Sequence, residues 1–354
     1  MRICFVSPTY FALESFIGGG ERYAEELSQA TSELADVKLV TFGSRPQRQR
    51  VTSTYERVIL RSWTSDKMTP FSPYLFRELR GAEVVHCFQY YTLPTFLAAW
   101  WGHRIGAKVF VTDLGGGGWT PGYHIDQSRW ITAHLPLSRY AAQNLPGRQR
   151  PAHVIYGGVD LERYTMRATL KHDGSVVFLG RILPHKGVHF LIDGLPEGVR
   201  AHVIGPAADS GYLARLRKLA AGKEVHFHHG LDDSQVIEIL HRAMTIVHPT
   251  PVDENGSAGV HELLGLAVLE AMACGCVPIV SRAASLPELV DSENSGVLVE
   301  PNRPADIQAA LRSLRDNPAT WSEMSRGARD RACSFTWDRA AQAVLAMALA
   351  NCAS

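Results

Sequence analysis

A chain of 354 residues is longer than one average domain and suits two. Its 45% hydrophobic and 20% charged residues are ordinary globular proportions, which argue against a disordered chain. With 36 basic against 35 acidic residues the formal charge is +1, so no global field recruits nucleic acid.

Short apolar runs alternate with amphipathic stretches, the rhythm of βαβ units and parallel sheets. Arg2 to Val6 reads as the first buried strand, and Ile3 to Val6 is too short for the core of a signal peptide. A glycine loop, Gly18-Gly19-Gly20, leads into a helix with Tyr23, Ala24, Leu27, Ala30 and Leu34 on one face. Strands are expected at Val37 to Phe42, Val58 to Leu60, Val84 to Phe88, Lys108 to Thr112, Leu135 to Leu137 and His153 to Tyr156. The basic positions Arg45, Arg48, Arg50, Arg57 and Arg61 read as a solvated loop first and an anionic-lipid contact second.

The stretch from Arg163 to Ser175 is polar and lacks apolar period, so a hinge is expected over 160–175. A second series of strands follows at Val176 to Leu179, Ala201 to Ile204, Val225 to His228, Thr245 to Val247, Val277 to Val280 and Gly296 to Val299. One intervening helix has Pro304 in its first turn, and another runs from about Leu264 or Gly265 to Gly275. Six scattered cysteines show no CxxC pair and fit a reducing compartment; Cys274-Gly-Cys276 reads as small residues at a tight junction. No stretch approaches the roughly 18 apolar residues of a membrane span. The expectation is a soluble cytoplasmic protein, with weak peripheral membrane contact left open.

Four segments, in this order, resemble glycosyltransferase family 4: Gly18-Gly19-Gly20-Glu21-Arg22, Val154 to Asp160, Gly180 to Gly187 and His261 to Gly275. The resemblance implies an α/β GT-B fold, two Rossmann-like doubly wound domains facing each other across a cleft. An acceptor-binding domain would take 1–162 plus 337–354, and a nucleotide-sugar-binding domain 163–336. Phe335-Thr336-Trp337-Asp338 with Arg339 to Ala350 looks like the family's helix that returns to the N-terminal domain. The implied reaction is retaining transfer of a sugar from a nucleoside diphosphate to an acceptor hydroxyl. The implied donor is a UDP-sugar first, with GDP- and ADP-sugars as alternatives. Carbohydrate, lipid-linked and small-molecule acceptors all stay open, and no metal or further cofactor is expected.

Read alone, Arg181 and Lys186 are two solvated charges after a strand. The resemblance makes them catalytic, because a guanidinium forks onto phosphate oxygens and an ammonium adds a point charge as the diphosphate leaves. It also places Glu262 near the sugar ring, in a loop before the helix, and has Glu270, projecting from that helix, bind the ribose hydroxyls. Gly19, Gly20, Leu264 and Gly265 complete the implied donor set. At Leu263-Leu264 the family's usual Gly-Phe is replaced. On the acceptor side Tyr90, Asp113, Trp119 and His124 are the candidates, with Tyr91 beside them; Asp113 stands where the family commonly has a histidine.

Other readings fare worse. A dinucleotide-binding dehydrogenase needs G-x-G-x-x-G directly after the first strand, and Tyr23 occupies the third glycine place. Gly180 to Gly187 lacks the G-x-x-x-x-G-K-[ST] order of a P-loop. A nucleotide-sugar epimerase would turn over without an acceptor, and a binding protein would need neither Arg181 nor Lys186.

Overall fold

The computed structural model describes residues 1–8, 19–66, 68–115, 118–145, 150–167, 172–258, 262–291 and 294–350. It separates into two compact units, Met1–Gly157 with Trp337–Ser354, and Gly158–Thr336.

In the first unit the strands are β1 Arg2–Val6, β2 Asp36–Gly43, β3 Gln47–Arg50, β4 Tyr55–Arg61, β5 Val84–Phe88, β6 Lys108–Thr112 and β7 Ala133–His134. Its helices are α1 Gly19–Ser32, α2 Leu75–Glu78, α3 Leu93–Arg104 and α4 Arg139–Gln143. The sheet order is β3-β4-β2-β1-β5-β6-β7. All pairings are parallel except β3 with β4. The central strands are apolar runs because a parallel sheet is covered on both faces: β1 from Ile3 to Val6 and β5 at Val84, Val85, Cys87 and Phe88 are buried throughout. One face packs Val6, Val40, Val85 and Val109 against Ala98 and Ala99 of α3. The closing helix of the chain, Trp337–Ala350, belongs to this unit and packs on α1, where the Tyr23 and Trp337 rings meet edge-on at 5.2 Å.

Three expectations for this unit change. Leu34 lies beyond the end of α1 and is exposed, whereas Tyr23, Ala24 and Leu27 are buried; Thr31 and Ser32 close the buried face instead. The basic stretch is a loop only at Arg45, in the bend after β2: β3 forms a hairpin with β4, Arg48 bridges Glu56 at 2.9 Å and Glu78 at 2.6 Å, and Arg57 meets Glu25 at 3.2 Å. Finally, Leu135 to Leu137 and His153 to Tyr156 are extended but not strands. His153 N–H donates to His134 O and Ile155 N–H to Pro136 O, yet Pro136 has no amide to continue the ladder.

In the second unit β8 Val176–Leu179, β9 Ala201–Ile204, β10 Val225–His228, β11 Thr245–His248, β12 Val277–Ser281 and β13 Val297–Val299 form a sheet of order β10-β9-β8-β11-β12-β13. Every pairing in it is parallel. Its helices are α5 Val188–Asp193, α6 Ser210–Leu219, α7 Asp233–Arg242, α8 Leu266–Ala273, α9 Leu286–Leu289, α10 Pro304–Asp316 and α11 Pro318–Ala332; the returning helix is then α12. Val176, Phe178, Val203, Val247 and Ile279 meet α5, α6 and α10 through Leu191, Leu216 and Leu311. The first break between the units falls at Gly157–Gly158, ahead of the expected 160–175. Residues just after it are tied into the second unit. Asp160 accepts from the Glu162 and Arg163 amides at 3.0 Å each, Arg329 donates to Tyr164 O at 2.6 Å, and Arg163 pairs with Asp233.

Candidate active site

Open parallel sheets bind ligands outside the carboxyl ends of their strands, at the point where the strand order reverses. In the second unit that point lies between β8 and β11. Gly180 and exposed Arg181 follow β8 directly. Ile182 is buried and pins the segment to the core. Pro184–Lys186 then make one 3-10 turn that ends at Gly187, in left-handed conformation with φ 71°. A Cβ at Gly187 would lie 1.9 Å from Pro249 O, so only glycine lets this turn sit against the chain leaving β11.

That close approach brings together groups distant in sequence. Lys186, only 9% exposed, forms an ion pair with Oε2 of Glu262, 6% exposed. His248, the last residue of β11 and 2% exposed, puts Nε2 at 3.5 Å from the same oxygen. Its Nδ1 lies 3.3 Å from Thr250 Oγ1. The Glu262 carbonyl accepts from Ser285 Oγ at 2.9 Å, which fixes the backbone beneath the carboxylate. Burial pushes the Glu262 carboxyl up, but Lys186, then His248 and His185, outweigh it and hold the group below its ordinary value. Burial, with Lys186 adding to it and Glu262 opposing, drops His248 to about 4, so its ring is neutral at pH 7.

Two histidines buried in the neutral form make stability depend on pH. His86, in the first unit, is pushed down to about 3 by burial alone, with Nε2 at 2.8 Å from Thr112 Oγ1. In both the folded value lies below the ordinary 6.5, so the unfolded chain binds more protons in between. The stabilisation is complete above pH 6.5 and is lost as pH falls towards 3–4, by up to about 1.4 kcal/mol per pH unit for each histidine. Melting temperature should therefore drop between pH 7 and 5, and less steeply in His86→Phe. A flat wild-type profile over that range would refute the neutral assignment.

Glu262 also lies just ahead of α8. Gly265 is the N-cap of this helix, left-handed at φ 92°, and a Cβ there would crowd Leu286 and Leu289 at 3.1 Å. Val268 and Leu269 amides donate to Gly265 O at 3.0 and 3.3 Å, so those of Leu266 and Ala267 precede the first helical hydrogen bond. Such an end favours an anion. Leu263 and Leu264 are buried, as is Glu270 within α8 at 6% exposed. Burial, then the charge of Glu270, pushes the Cys274 thiol up to about 12.

The remaining candidates lie in the first unit. Gly19 and Gly20 begin α1, with Gly19 exposed; Gly18 is outside the described residues. Tyr90 is a packing residue, 2% exposed with its ring on His134 and Tyr91, so it offers no free face. Tyr91 is half-buried, and its ring lies 4.3 Å from that of exposed Tyr123, tilted by 35°. Asp113 follows β6, accepts from the Gly115 amide at 3.3 Å, and is raised by burial against the backbone amides around it. Trp119 is half-buried with its amide bonded to Tyr91 O, and His124 is exposed at the end of the Thr120–His124 turn. Gly116 and Gly117 of the glycine loop, and His261, lie outside the described residues. The sequence reading missed His248 and Thr250. Its strand ended one residue early, at Val247, and the adjoining Pro249-Thr250 carries no local signal of a buried relay.

Solved structures with this architecture include HepE of Anabaena, in complex with UDP, at TM-score 0.76 and 15% identity over 98% of this chain and 99% of that one. Sucrose-phosphate synthase from Thermosynechococcus elongatus reaches 0.75 at 17% identity, with 100% of both chains covered. The fold is GT-B. Residues 17–163 match the profile described as Glycosyltransferase Family 4 and residues 167–331 the one described as Glycosyl transferases group 1. The chain belongs to glycosyltransferase family 4. Glycogen synthase of Mycobacterium tuberculosis is 31% identical over 207 residues, 56% of this chain and 48% of that protein. A GDP-mannose-dependent alpha-(1-6)-phosphatidylinositol dimannoside mannosyltransferase of the same species is 34% identical over 176 residues, 48% of this chain and 42% of that protein. The chain spans about half the length of the curated relatives it matches.

Proposed function

We propose that this protein is a retaining glycosyltransferase that moves a sugar from a nucleoside diphosphate to an acceptor hydroxyl without a metal ion. The observation that carries the reading is the grouping at one strand-order reversal: exposed Arg181, the buried Lys186–Glu262 pair and the α8 N-terminus, in a family 4 chain. Arg181 forks onto the diphosphate, and the cationic turn with the helix end neutralises it as it leaves. The bond from the sugar C1 to the phosphate oxygen breaks while the acceptor oxygen bonds C1 on the same face. The departing phosphate takes the acceptor proton. Glu262 sits beside the sugar, Glu270 recognises the ribose, and Leu264 and Gly265 shape the donor surroundings. Uridine is the first choice of base, since HepE was solved with UDP, and the GDP-mannose-dependent relative keeps guanosine open. ADP-sugars stay in the panel as well. Acceptor choice rests on Tyr91, Asp113 and Trp119 of the first unit, and a carbohydrate, a lipid-linked sugar or a small molecule fits their mixture of ring faces and carboxylate.

A thermal-shift panel of UDP-, GDP- and ADP-sugars tests the donor, because a ligand of the folded state raises its melting temperature. A panel without any shift overturns the donor reading. With the donor found, transfer should survive EDTA unchanged, and proton NMR should show the product anomer matching the donor. Activity lost in EDTA and restored by magnesium or manganese would refute the metal-free step.

A further inference from the structure

The buried histidine at the end of β11 has no part in the chemistry above, yet its ring joins two site elements. Its two nitrogens face different partners, which decides the tautomer. A proton on Nδ1 would leave the Nε2 lone pair facing Glu262 Oε2 at 3.5 Å, two acceptors opposed in a buried site. A proton on Nε2 gives that oxygen a donor and lets the Thr250 hydroxyl donate to Nδ1 at 3.3 Å. The second arrangement pairs Nδ1 with a hydroxyl donor and turns the Nε2–H towards the carboxylate, where 3.5 Å is the long limit of a hydrogen bond and an electrostatic contact at least. The charged groups around the ring are Glu262 and Lys186, with His185 also acting on Glu262. The Phe178 ring, tilted at 32° and 5.4 Å away, covers the imidazole and limits its movement.

We propose that His248 is a positioning residue: the Thr250 hydroxyl holds it as the neutral Nε2–H tautomer, and it donates to Glu262 Oε2, aligning the carboxylate that Lys186 pairs with. This rests on the reading of Glu262 and Lys186 as site residues. The imidazole touches no substrate. Its work is to keep one carboxylate oxygen engaged from two sides, so that the carboxylate cannot rotate when a diphosphate competes for Lys186. It also helps keep Glu262 ionised against the cost of burial. Thr250 is buried at 1% and thus belongs to the same relay.

The variants separate donation from packing. Glutamine places an amide N–H near the position of Nε2, whereas phenylalanine fills the volume without a donor. Donor turnover is to be measured with the sugar nucleotide that the panel identifies. His248→Phe should lower kcat about tenfold or more, the scale of one hydrogen bond to a charged group, with KM within about threefold. His248→Gln should recover most of the loss. The acid limb of the pH–kcat profile should move upward in His248→Phe, because burial then opposes one ionising partner fewer. Equal losses in both variants, or an unmoved acid limb, would mean that the ring only packs.

A second measurement needs no ligand. In full-length protein labelled with 15N-histidine, the resonance missing from His248→Gln should be a neutral Nε2–H imidazole at pH 7 and should move in Glu262→Gln. A cationic ring, the Nδ1–H tautomer, or indifference to Glu262→Gln overturns the relay. If wild type binds no sugar nucleotide the transferase reading fails, while the NMR result still decides the relay.

Discussion

Arg181→Ala should lower turnover about a hundred- to a thousandfold while leaving the melting temperature where it was. On the proposed reaction the diphosphate is charged when it binds, so the guanidinium would assist binding. More charge gathers on the leaving oxygen as C1 becomes cationic, and an interaction that strengthens along the reaction lowers the barrier rather than only the Michaelis constant. Removal of one preorganised donor of that kind typically costs about 2.7–4 kcal/mol. Arg181 is exposed at the end of β8, and none of the core contacts of the second unit uses it, so stability has little to lose. Arg181→Lys should recover part of the turnover, since an ammonium keeps the charge but not the fork. Steady-state kinetics of both variants beside their melting curves check this. Wild-type turnover in a well-folded Arg181→Ala would remove the residue from the mechanism.

The sequence was most legible where a parallel sheet forces an apolar run. β1, β5, β6, β8 and β9 lie where their residue types place them, with the same bounds; the edge strand β10 also keeps its bounds, although only Val225 and Phe227 in it are apolar. β3 was invisible because Gln47–Arg50 carries no apolar residue; only its backbone pairing with β4 and the carboxylates of Glu56 and Glu78 make it a strand. Helix α1 was legible as far as Leu27, but its end was not, because Thr31 bonds back to Leu27 O at 2.6 Å and is buried where an apolar residue was expected. At the site, residue types and positions could be read, and surroundings could not. Arg181 is the solvated charge that a strand end suggests. Lys186 is not, because its partner Glu262 stands 76 positions further on and the turn against Pro249 buries them both. His248 shows the same limit, since nothing next to it in sequence announces a carboxylate.

Lys186→Met should behave in the opposite way to Arg181→Ala, losing stability as well as turnover. Glu262 would be left ionised and buried without its cation, and breaking a buried pair from one side costs about 3–5 kcal/mol. Methionine keeps most of the stem, so little of that loss comes from packing. Removing the stranded charge as well, in Lys186→Met/Glu262→Gln, should restore most of the stability and none of the turnover. His248 supplies an internal check on the sign. In wild type burial holds it down at about 4, with Glu262 pulling upward and Lys186 opposing that pull. Without Lys186 the upward pull is unopposed by charge, so the ring takes a proton at higher pH and becomes a replacement cation for Glu262. Stability from that protonated pair is present at low pH and lost as pH rises through the new value. The gap between wild type and Lys186→Met in urea denaturation should therefore be wide at pH 7.5 and narrower at pH 5. A gap that stays constant with pH, or a double variant no more stable than the single one, would show that Glu262 is not a stranded carboxylate and that the buried pair does not organise this site.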